Sequence, residues 1–279
     1  MTSPASSLES AAPSPARVFG LLAREALADA MRRRIVPLIA AMALLSLFFV
    51  NSCTSCSPEI QMQGQSVQAA QVTGVLGVAV MLVLGLWTVV LAGVLASDHL
   101  AEPLSDGSAA LVLSRPVSRA AFALSRLAGV LTLSFGTGAV LLLAAAVLLS
   151  QRQGLSPGPV LVAALACAAS CVSVGGLAMA ASLFLPRVAT ALLVFGLVWG
   201  VALVNVFGRS GAELSGWLGA VDRYGPPLAS SMIVALWPWI EPLAAAPAGA
   251  MADVALRSGL WAAASATLVV LAFRRLEVS

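Results

Sequence analysis

Apolar stretches long enough to cross a membrane alternate with short polar segments along this chain. Six runs stand out, at residues 35–50, 72–96, 127–149, 160–185, 188–207 and 258–273. A helix that crosses about 30 Å of hydrocarbon needs about 20 mostly apolar residues, each adding about 1.5 Å. The first and last runs are short, so we expect them to include mildly polar flanking turns. The pattern predicts an all-α integral membrane protein with six transmembrane helices.

The residues before the first long run predict a different kind of segment. Residues 1–16 are rich in Ser, Pro and Ala, lack apolar periodicity, and are predicted to form a disordered cytoplasmic tail. We therefore place the membrane domain at residues 17–279. A signal peptide is the alternative for the first run, but signal peptides are about 15 to 30 residues long and this one would end near Cys53. Five further apolar runs favour an uncleaved first span.

Composition supports a membrane protein and sets its orientation. Only 10% of the residues are charged, and all 15 basic residues are arginines. The net charge of +3 is small and scattered, which argues against a nucleic-acid partner. With the N-terminus inside, eleven arginines fall on cytoplasmic segments and four on external ones. Positively charged segments stay inside, so we expect both termini in the cytoplasm.

The six runs themselves contain no Asp, Glu, Lys, Arg or His. Ion-coupled carriers need ionisable side chains at membrane depth to bind and release the coupling ion, so the runs argue against a secondary transporter. An intramembrane hydrolase is disfavoured too, because no base is available to activate a serine. A translocator of this composition has to be driven from outside its own spans.

Small and polar residues within the runs predict helix contacts. Gly196 and Gly200 form a G-x-x-x-G pair, which favours either close packing within the chain or a subunit interface. Gly176 and Ala180 make a looser pair in the preceding run. Asn205 is the one strongly polar side chain deep in its run, and we interpret it as an interhelical hydrogen-bonding residue.

Two segments outside the runs are expected to touch the membrane surface. Residues 17–34 place apolar side chains on one helical face, which predicts an amphipathic elbow helix on the inner leaflet lipid, although a plain positive-inside flank is the alternative. That face consists of Val18, Leu21, Leu22, Ala26 and Met31.

Residues 208–257 hold an apolar stretch too short to span, which predicts a re-entrant or interfacial segment. Trp237 and Trp239 fit the headgroup region, and Pro238 and Pro242 are expected to break any helix there.

The four cysteines form two close pairs. Cys53 and Cys56 lie in a predicted external loop, where a disulfide or free thiols are favoured over a metal site, because an isolated C-x-x-C is weak evidence for metal. Cys167 and Cys171 are one helical turn apart within a run and are interpreted as small hydrophobic residues. We predict no metal ion.

The polar gap at residues 97–126 predicts a helical elbow just outside the membrane. Three acidic residues come first, and a short apolar helix at residues 109–113 follows. Pro116 disfavours helical geometry at Arg115 and so ends that helix. Ser118 is well placed to cap the next helix, which continues into a span. A short amphipathic element of this kind suits insertion into a groove of a soluble partner.

The same gap resembles the loop between spans two and three of type-2 ABC transporter permeases. That family follows a pattern similar to E-x-x-x-G-[ST]-x-x-x-L-L-x-x-P-[VIL]-[ST]-R, with six spans preceded by an amphipathic elbow helix. The matching residues here are Gly107, Ser108, Leu111, Leu113, Pro116, Val117, Ser118 and Arg119. Glu102 precedes Gly107 by one residue more than in the pattern, and Asp106 lies between them.

The resemblance implies a permease subunit of the bacterial cytoplasmic (inner) membrane. It implies that the elbow around Glu102 to Arg119, including Arg115, docks on a separate ABC ATPase, and that two permeases, identical or paralogous, form a dimer. The chain has no G-x-x-x-x-G-K-[ST] motif and no lysine. ATP and Mg²⁺ are therefore expected on the partner ATPase, and no cofactor or enzyme activity is expected in this chain. An amphiphilic or polymeric export substrate is favoured; a scaffold that recruits a soluble partner without transport is the alternative.

Overall fold

The computed structural model describes residues 14–32, 41, 44, 45, 48, 52, 61–62, 65–66, 69–114, 117–211, 213–241, 247 and 249–275. Ten helices and one hairpin of two short strands are described there. In chain order they are α1 (Pro15–Arg32), β1 (Gln61–Met62), β2 (Gln65–Ser66), α2 (Ala69–Ser105), α3 (Ser108–Leu113), α4 (Arg119–Gln153), α5 (Gly158–Ala181), α6 (Arg187–Arg209), α7 (Gly216–Tyr224), α8 (Leu228–Ala235), α9 (Trp237–Ile240) and α10 (Ala250–Arg275). The strands pair antiparallel, Gln61 opposite Ser66.

Five of these helices, α2, α4, α5, α6 and α10, are long and apolar enough to cross a membrane. In hydrocarbon every backbone N–H and C=O needs an internal partner, which a continuous helix supplies. The chain is therefore a multi-pass, all-α membrane protein, as the sequence predicts. Four of the helices extend past both ends of their runs, and α5 starts earlier but ends at Ala181, before its run does. Most of the first predicted run, 35–50, lies outside the described residues.

Close approaches of backbone hold the bundle together. α2 packs against α4, α5 and α6, and α5 also packs against α10. Gly138 on α4 faces Thr88 on α2, and Gly176 on α5 faces Ser265 on α10, each so closely that a Cβ would collide. The predicted close packing at Gly176 is confirmed, and it joins α5 to α10.

The bundle has two ends, which we name after the short helices found there. Asp98, Arg126 and Arg187 lie at the α3 end, where α2 ends and α4 and α6 begin. α6 has 23 residues and rises about 34 Å to the α7 end. Gly74 near the start of α2 touches the backbone of Trp239 at that opposite end.

Helix α1 is present where the elbow helix is predicted, but its buried face differs. Leu22, Ala26 and Ala30 are buried, whereas Leu21 and Met31 are more than half exposed. The buried face packs on α4, where Ala26 meets Gly129. The predicted apolar face was therefore only partly right, because the side of α1 that carries Ala26 approaches Gly129 of α4 closely and is buried there.

The segment before α10 lies inside the bundle. Leu228, Met232 and Leu236 are almost completely buried, and α8 packs against α5, α6 and α10. This position fits the re-entrant alternative better than the interfacial one. Asn205 on α6 accepts a hydrogen bond from the backbone N–H of Ala229 (3.3 Å), which confirms its predicted interhelical role.

Trp239 is not at a lipid headgroup surface. It is 3% exposed, and its indole N–H donates to the carbonyl of Ser156 (2.9 Å) in the α4–α5 connection. The indole ring of Trp239 packs against Gly77 of α2, and the backbone carbonyl of Trp239 lies against Gly74. The prediction for Trp239 was wrong because the two glycines let the α9 segment approach α2 closely and bury the ring.

Some predictions fall outside the described residues. These are the disordered tail up to residue 13, the loop cysteines Cys53 and Cys56, and Pro242. Cys167 and Cys171 are buried free thiols, in agreement with their interpretation as small hydrophobic residues. Within the described residues no group of His, Cys, Asp or Glu side chains suits a metal ion.

Candidate functional site

The connection between α2 and α4 forms a short, well-defined elbow at the α3 end. α2 continues through Pro103 to Ser105, so the first part of the predicted gap is helical. Gly107 then adopts a left-handed conformation with φ of 76°, which favours glycine because it has no Cβ. This residue separates α2 from α3 and sets the direction of the short helix.

Asp106 stabilises the start of α3. Its Oδ1 accepts a hydrogen bond from the backbone N–H of Ser108 (2.9 Å). This hydrogen bond lowers the pKa of the Asp106 carboxyl below its ordinary value, because it favours the charged form. The contribution to stability is complete above the unfolded-state pKa and is lost as the pH falls through the lower folded-state pKa.

Ser118 caps the helix that follows the elbow. Its Oγ accepts a hydrogen bond from the backbone N–H of Ala121 (3.1 Å), and α4 begins at Arg119. The predicted cap is confirmed. Arg115 and Pro116, the predicted break between α3 and α4, lie outside the described residues.

The two faces of α3 differ sharply. Ala109 is buried, and Val112 and Leu113 pack against the core of the bundle. Leu111 points the other way and is 74% exposed. Of the two leucines in the sequence pattern, only Leu111 is thus exposed, while Leu113 fixes the short helix to its own bundle.

Arg119 contacts the end of the last helix. Its guanidinium donates to the backbone carbonyl of Arg274 at 3.5 Å, and one turn further Phe122 stacks on Phe273 with ring centroids 5.8 Å apart. A cation is favourable near a helix C-terminus, where carbonyl groups are left without helical partners. The elbow is therefore joined to α10 as well as to α2 and α4.

Ion pairs connect the elbow region to α1 and α6. Arg126 is 6% exposed, lies 3.8 Å from Glu25 of α1, and stacks its guanidinium over the Phe122 ring at 5.3 Å. Asp98 of α2 pairs with Arg187 at the start of α6 at 2.7 Å.

His99, the single histidine of the sequence, belongs to the same region. Its side chain is 1% exposed, and its Nδ1 lies 4.0 Å from an Asp29 carboxylate oxygen on α1. Four helices, α1, α2, α4 and α6, are thereby joined through charged or polar side chains.

The prediction that the spans contain no ionisable side chains was wrong at the ends of two helices. The runs as drawn end at residue 96 and begin again at 127, but α2 and α4 continue past those limits. Asp98, His99 and Arg126 are therefore buried on membrane-length helices. Sequence reasoning placed them in a loop because it set boundaries by polarity. The signal that could have revealed them is the Asp98–His99 pair, which follows the apolar run 72–96 after a single serine.

A cavity of about 340 Å³ opens between α1 and the elbow. Four carboxylates and two guanidinium groups line it, so its charge is negative on balance. They belong to Glu25, Asp29, Glu102, Asp106, Arg32 and Arg126. The arrangement suits a basic side chain from outside this chain, because a cation entering here meets more negative than positive groups.

The G-x-x-x-G pair behaves differently from the other glycines. Gly196 and Gly200 are exposed, and no atom of the described residues lies within 4 Å of a Cβ built on either. Among the described residues no helix packs closely on this pair, and the alternative of close packing within the chain stays a prediction. The subunit-interface alternative stays a prediction.

Comparison of the chain with models of known protein families finds no matching family, and comparison with curated proteins finds no match either.

Proposed function

We propose that this chain is the membrane-spanning permease subunit of an ATP-driven transporter similar to the type-2 ABC family. A separate ATPase docks on the elbow formed by Asp106, Gly107, α3 and Ser118. The observation that carries the proposal is the exposed side chain of Leu111. It lies on a short helix whose opposite face packs on the bundle, and the two helices that flank it in the chain are also packed in the bundle. Such an element can transmit a push from a soluble partner, since it has little freedom to move alone.

The contacts of the elbow supply a route for that motion. A displacement of α3 acts on α2 through its packing and on α4 through the short connection between the two helices. It acts on α1, α6 and α10 through the Arg126, Asp98 and Arg119 contacts. Rigid helices that shift together are a common way to open a path between membrane subunits. ATP and Mg²⁺ belong to the partner in this proposal, because the sequence lacks lysine and a phosphate-binding loop.

Connectivity favours a sixth span. Asp29 of α1 lies beside His99 at the α3 end, whereas Gly74 of α2 lies beside Trp239 at the α7 end. Residues 33–68 connect these two opposite ends, and they include the apolar run 35–50.

Both α1 and the last turn of α10 lie at the α3 end, which supports termini on the same side of the membrane. In our proposal that side is the cytoplasm, and the chain is a bacterial inner-membrane protein.

A partner-binding assay tests the docking surface. Leu111→Asp places a charge in the centre of the exposed apolar contact and should reduce co-purification of the ATPase by more than about tenfold, since desolvating an unpaired carboxylate costs more than 1.4 kcal/mol. Trp217→Asp is the matched control, because Trp217 is 73% exposed at the opposite end. Arg119→Glu is a second variant, although it also loses the contact with Arg274.

Unchanged ATPase binding by Leu111→Asp would contradict the placement of the docking surface. Recovery of a soluble partner that lacks an ATP-binding motif would favour the alternative function, a membrane scaffold without transport. The permease proposal expects in addition that the co-purified ATPase hydrolyses ATP and that Leu111→Asp abolishes ATP-dependent export of an amphiphilic or polymeric substrate from cells.

A further inference from the structure

A second, larger cavity lies at the α7 end of the bundle. Its volume is about 650 Å³, and it is formed by the end of α6, Leu214, the second half of α7 and the first turns of α10. The charged or phenolic residues that line it are Arg209, Asp222, Arg223, Tyr224, Asp253 and Arg257. The elbow residues do not take part in this cavity.

The carboxylates of the cavity are already engaged. Arg257 donates to Asp253 Oδ2 (2.9 Å) and to the backbone carbonyl of Asp222 (2.6 Å). The Asp222 carboxylate packs against Gly208, where a Cβ would collide with it, and accepts a hydrogen bond from the Asn205 amide (3.4 Å). Both acids thus have partners.

Two of the three arginines that line the cavity do not pair with these carboxylates. Arg209 and Arg223 have exposed side chains, and in the part of the chain that the structure describes neither forms an ion pair. The Arg223 guanidinium lies 5.8 Å from the Tyr224 ring centre, which orients it at the rim. With three arginines against two aspartates, the cavity presents an unmatched positive charge.

The surroundings of the cavity are those of a membrane surface. Trp217 and Tyr224 on α7 are largely exposed, and such amphipathic rings favour the headgroup region. Phe207 lies two residues before Arg209, and Leu256 directly precedes Arg257. Both are exposed apolar side chains near the ends of membrane-length helices. A bound amphiphile would place its polar group in the cavity and its chains along these helices.

We propose that this cavity binds the phosphate headgroup of an anionic membrane lipid, with Arg209 and Arg223 as its ligands. A guanidinium donates two parallel hydrogen bonds to phosphate oxygens, which makes arginine well suited to this group. The apolar side chains beside the cavity favour a lipid over a soluble phosphate compound. The proposal does not depend on the permease function and would hold for a scaffold as well.

Lipid titration of the purified full-length protein tests the site. Native mass spectrometry would follow binding of dioctanoyl phosphatidylglycerol, with dioctanoyl phosphatidylcholine and inorganic phosphate as comparisons. We expect the anionic lipid to bind more tightly than either. The double variant Arg209→Gln, Arg223→Gln should lose about tenfold in affinity, because it removes charge-assisted hydrogen bonds to the phosphate that solvent exposure partly weakens.

The matched control is the double variant Arg274→Gln, Arg275→Gln, which removes two exposed arginines at the α3 end. An equal loss of affinity in both double variants would show general charge attraction and overturn the site. Binding of inorganic phosphate as tight as that of the lipid would overturn the lipid assignment. If the Gln variant loses binding and also unfolds at a lower temperature, Arg209→Lys, Arg223→Lys separates the two causes, because lysine keeps the charge but not the bidentate geometry. Lipid binding tighter than that of the Gln variant supports the site, and binding as weak as that of the Gln variant at a restored unfolding temperature contradicts it.

Discussion

Single residues determine where the helices near the elbow begin and end. Gly107 supplies the left-handed conformation between α2 and α3, and Ser118 supplies the cap of α4. Both follow from local chemistry, namely a missing Cβ and a side-chain oxygen placed for a free N–H. The Ser118 cap was predicted from the sequence, whereas Gly107 was identified only as a position of the motif and its left-handed conformation was not predicted.

Replacement of Gly107 by alanine should destabilise the elbow. With φ at 76° an alanine Cβ is strained, and we expect a loss of about 1 kcal/mol in unfolding free energy. Gly136→Ala is the control, because this exposed α4 glycine is helical and has no described atom within 4 Å of a Cβ. Thermal unfolding in detergent measures both. Equal stability of the two variants would mean that the turn tolerates a Cβ.

At the scale of elements, the contact between α1 and α4 is the feature that the sequence did not predict. The amphipathic pattern of α1 indicated a helix on a surface, but its buried face lies on Gly129 of α4 and its acids face Arg126 and His99. An apolar stripe is satisfied equally by lipid or by a neighbouring helix, so the stripe alone does not choose between them.

Gly129→Ala should separate α1 from α4. The added Cβ would lie 2.7 Å from Ala26 Cβ and 2.8 Å from the Ala23 carbonyl oxygen, and backbone atoms cannot move aside without shifting the helix. We expect a lower unfolding temperature and a longer spin-label distance between α1 and α4. Gly136→Ala on the same helix should change neither. An unchanged distance in Gly129→Ala would contradict the packing of α1.

At the scale of the whole molecule, the α6 surface around Gly196 and Gly200 is not covered by any described helix. Leu192, Phe195 and Leu203 on the same helix are exposed as well. Small residues let helices approach closely in membranes, where packing drives association. Our proposal of a second permease, identical or paralogous, places it on this surface.

Enlarging the two glycines tests the assembly. The variant Gly196→Leu, Gly200→Leu should reduce dimer or complex formation in native mass spectrometry by more than about tenfold, because it blocks close helix approach. Gly259→Leu on α10 is the control, since this glycine also has open space around it within the described chain. A loss of monomer stability with unchanged assembly would show that this surface packs within the chain instead.

Cysteine labelling tests the orientation of the whole bundle. In a variant whose four cysteines are replaced by alanine, Ser114→Cys and Ser215→Cys report the α3 end and the α7 end. An impermeant maleimide should label position 215 in intact cells and position 114 only after permeabilisation. The reverse result would contradict the arginine-based orientation, and labelling of both positions from outside would contradict a spanning bundle.

The sequence by itself determined the five described membrane-length helices and the Ser118 cap of α4. Length, mean polarity and turn residues are local properties, and the requirement for internal backbone hydrogen bonds in lipid makes them decisive. The elbow residues of the candidate site were likewise visible as a motif.

The tertiary structure decided which faces meet. Gly176 contacts Ser265, whereas the similar pair Gly196 and Gly200 contacts no described helix. It also buried Trp239 in the bundle and brought Asp98 to Arg187 and Arg126 to Glu25. Helices that are apolar on every side carry no periodic signal for their partners, so packing geometry and the pairing of a few buried charges make the choice.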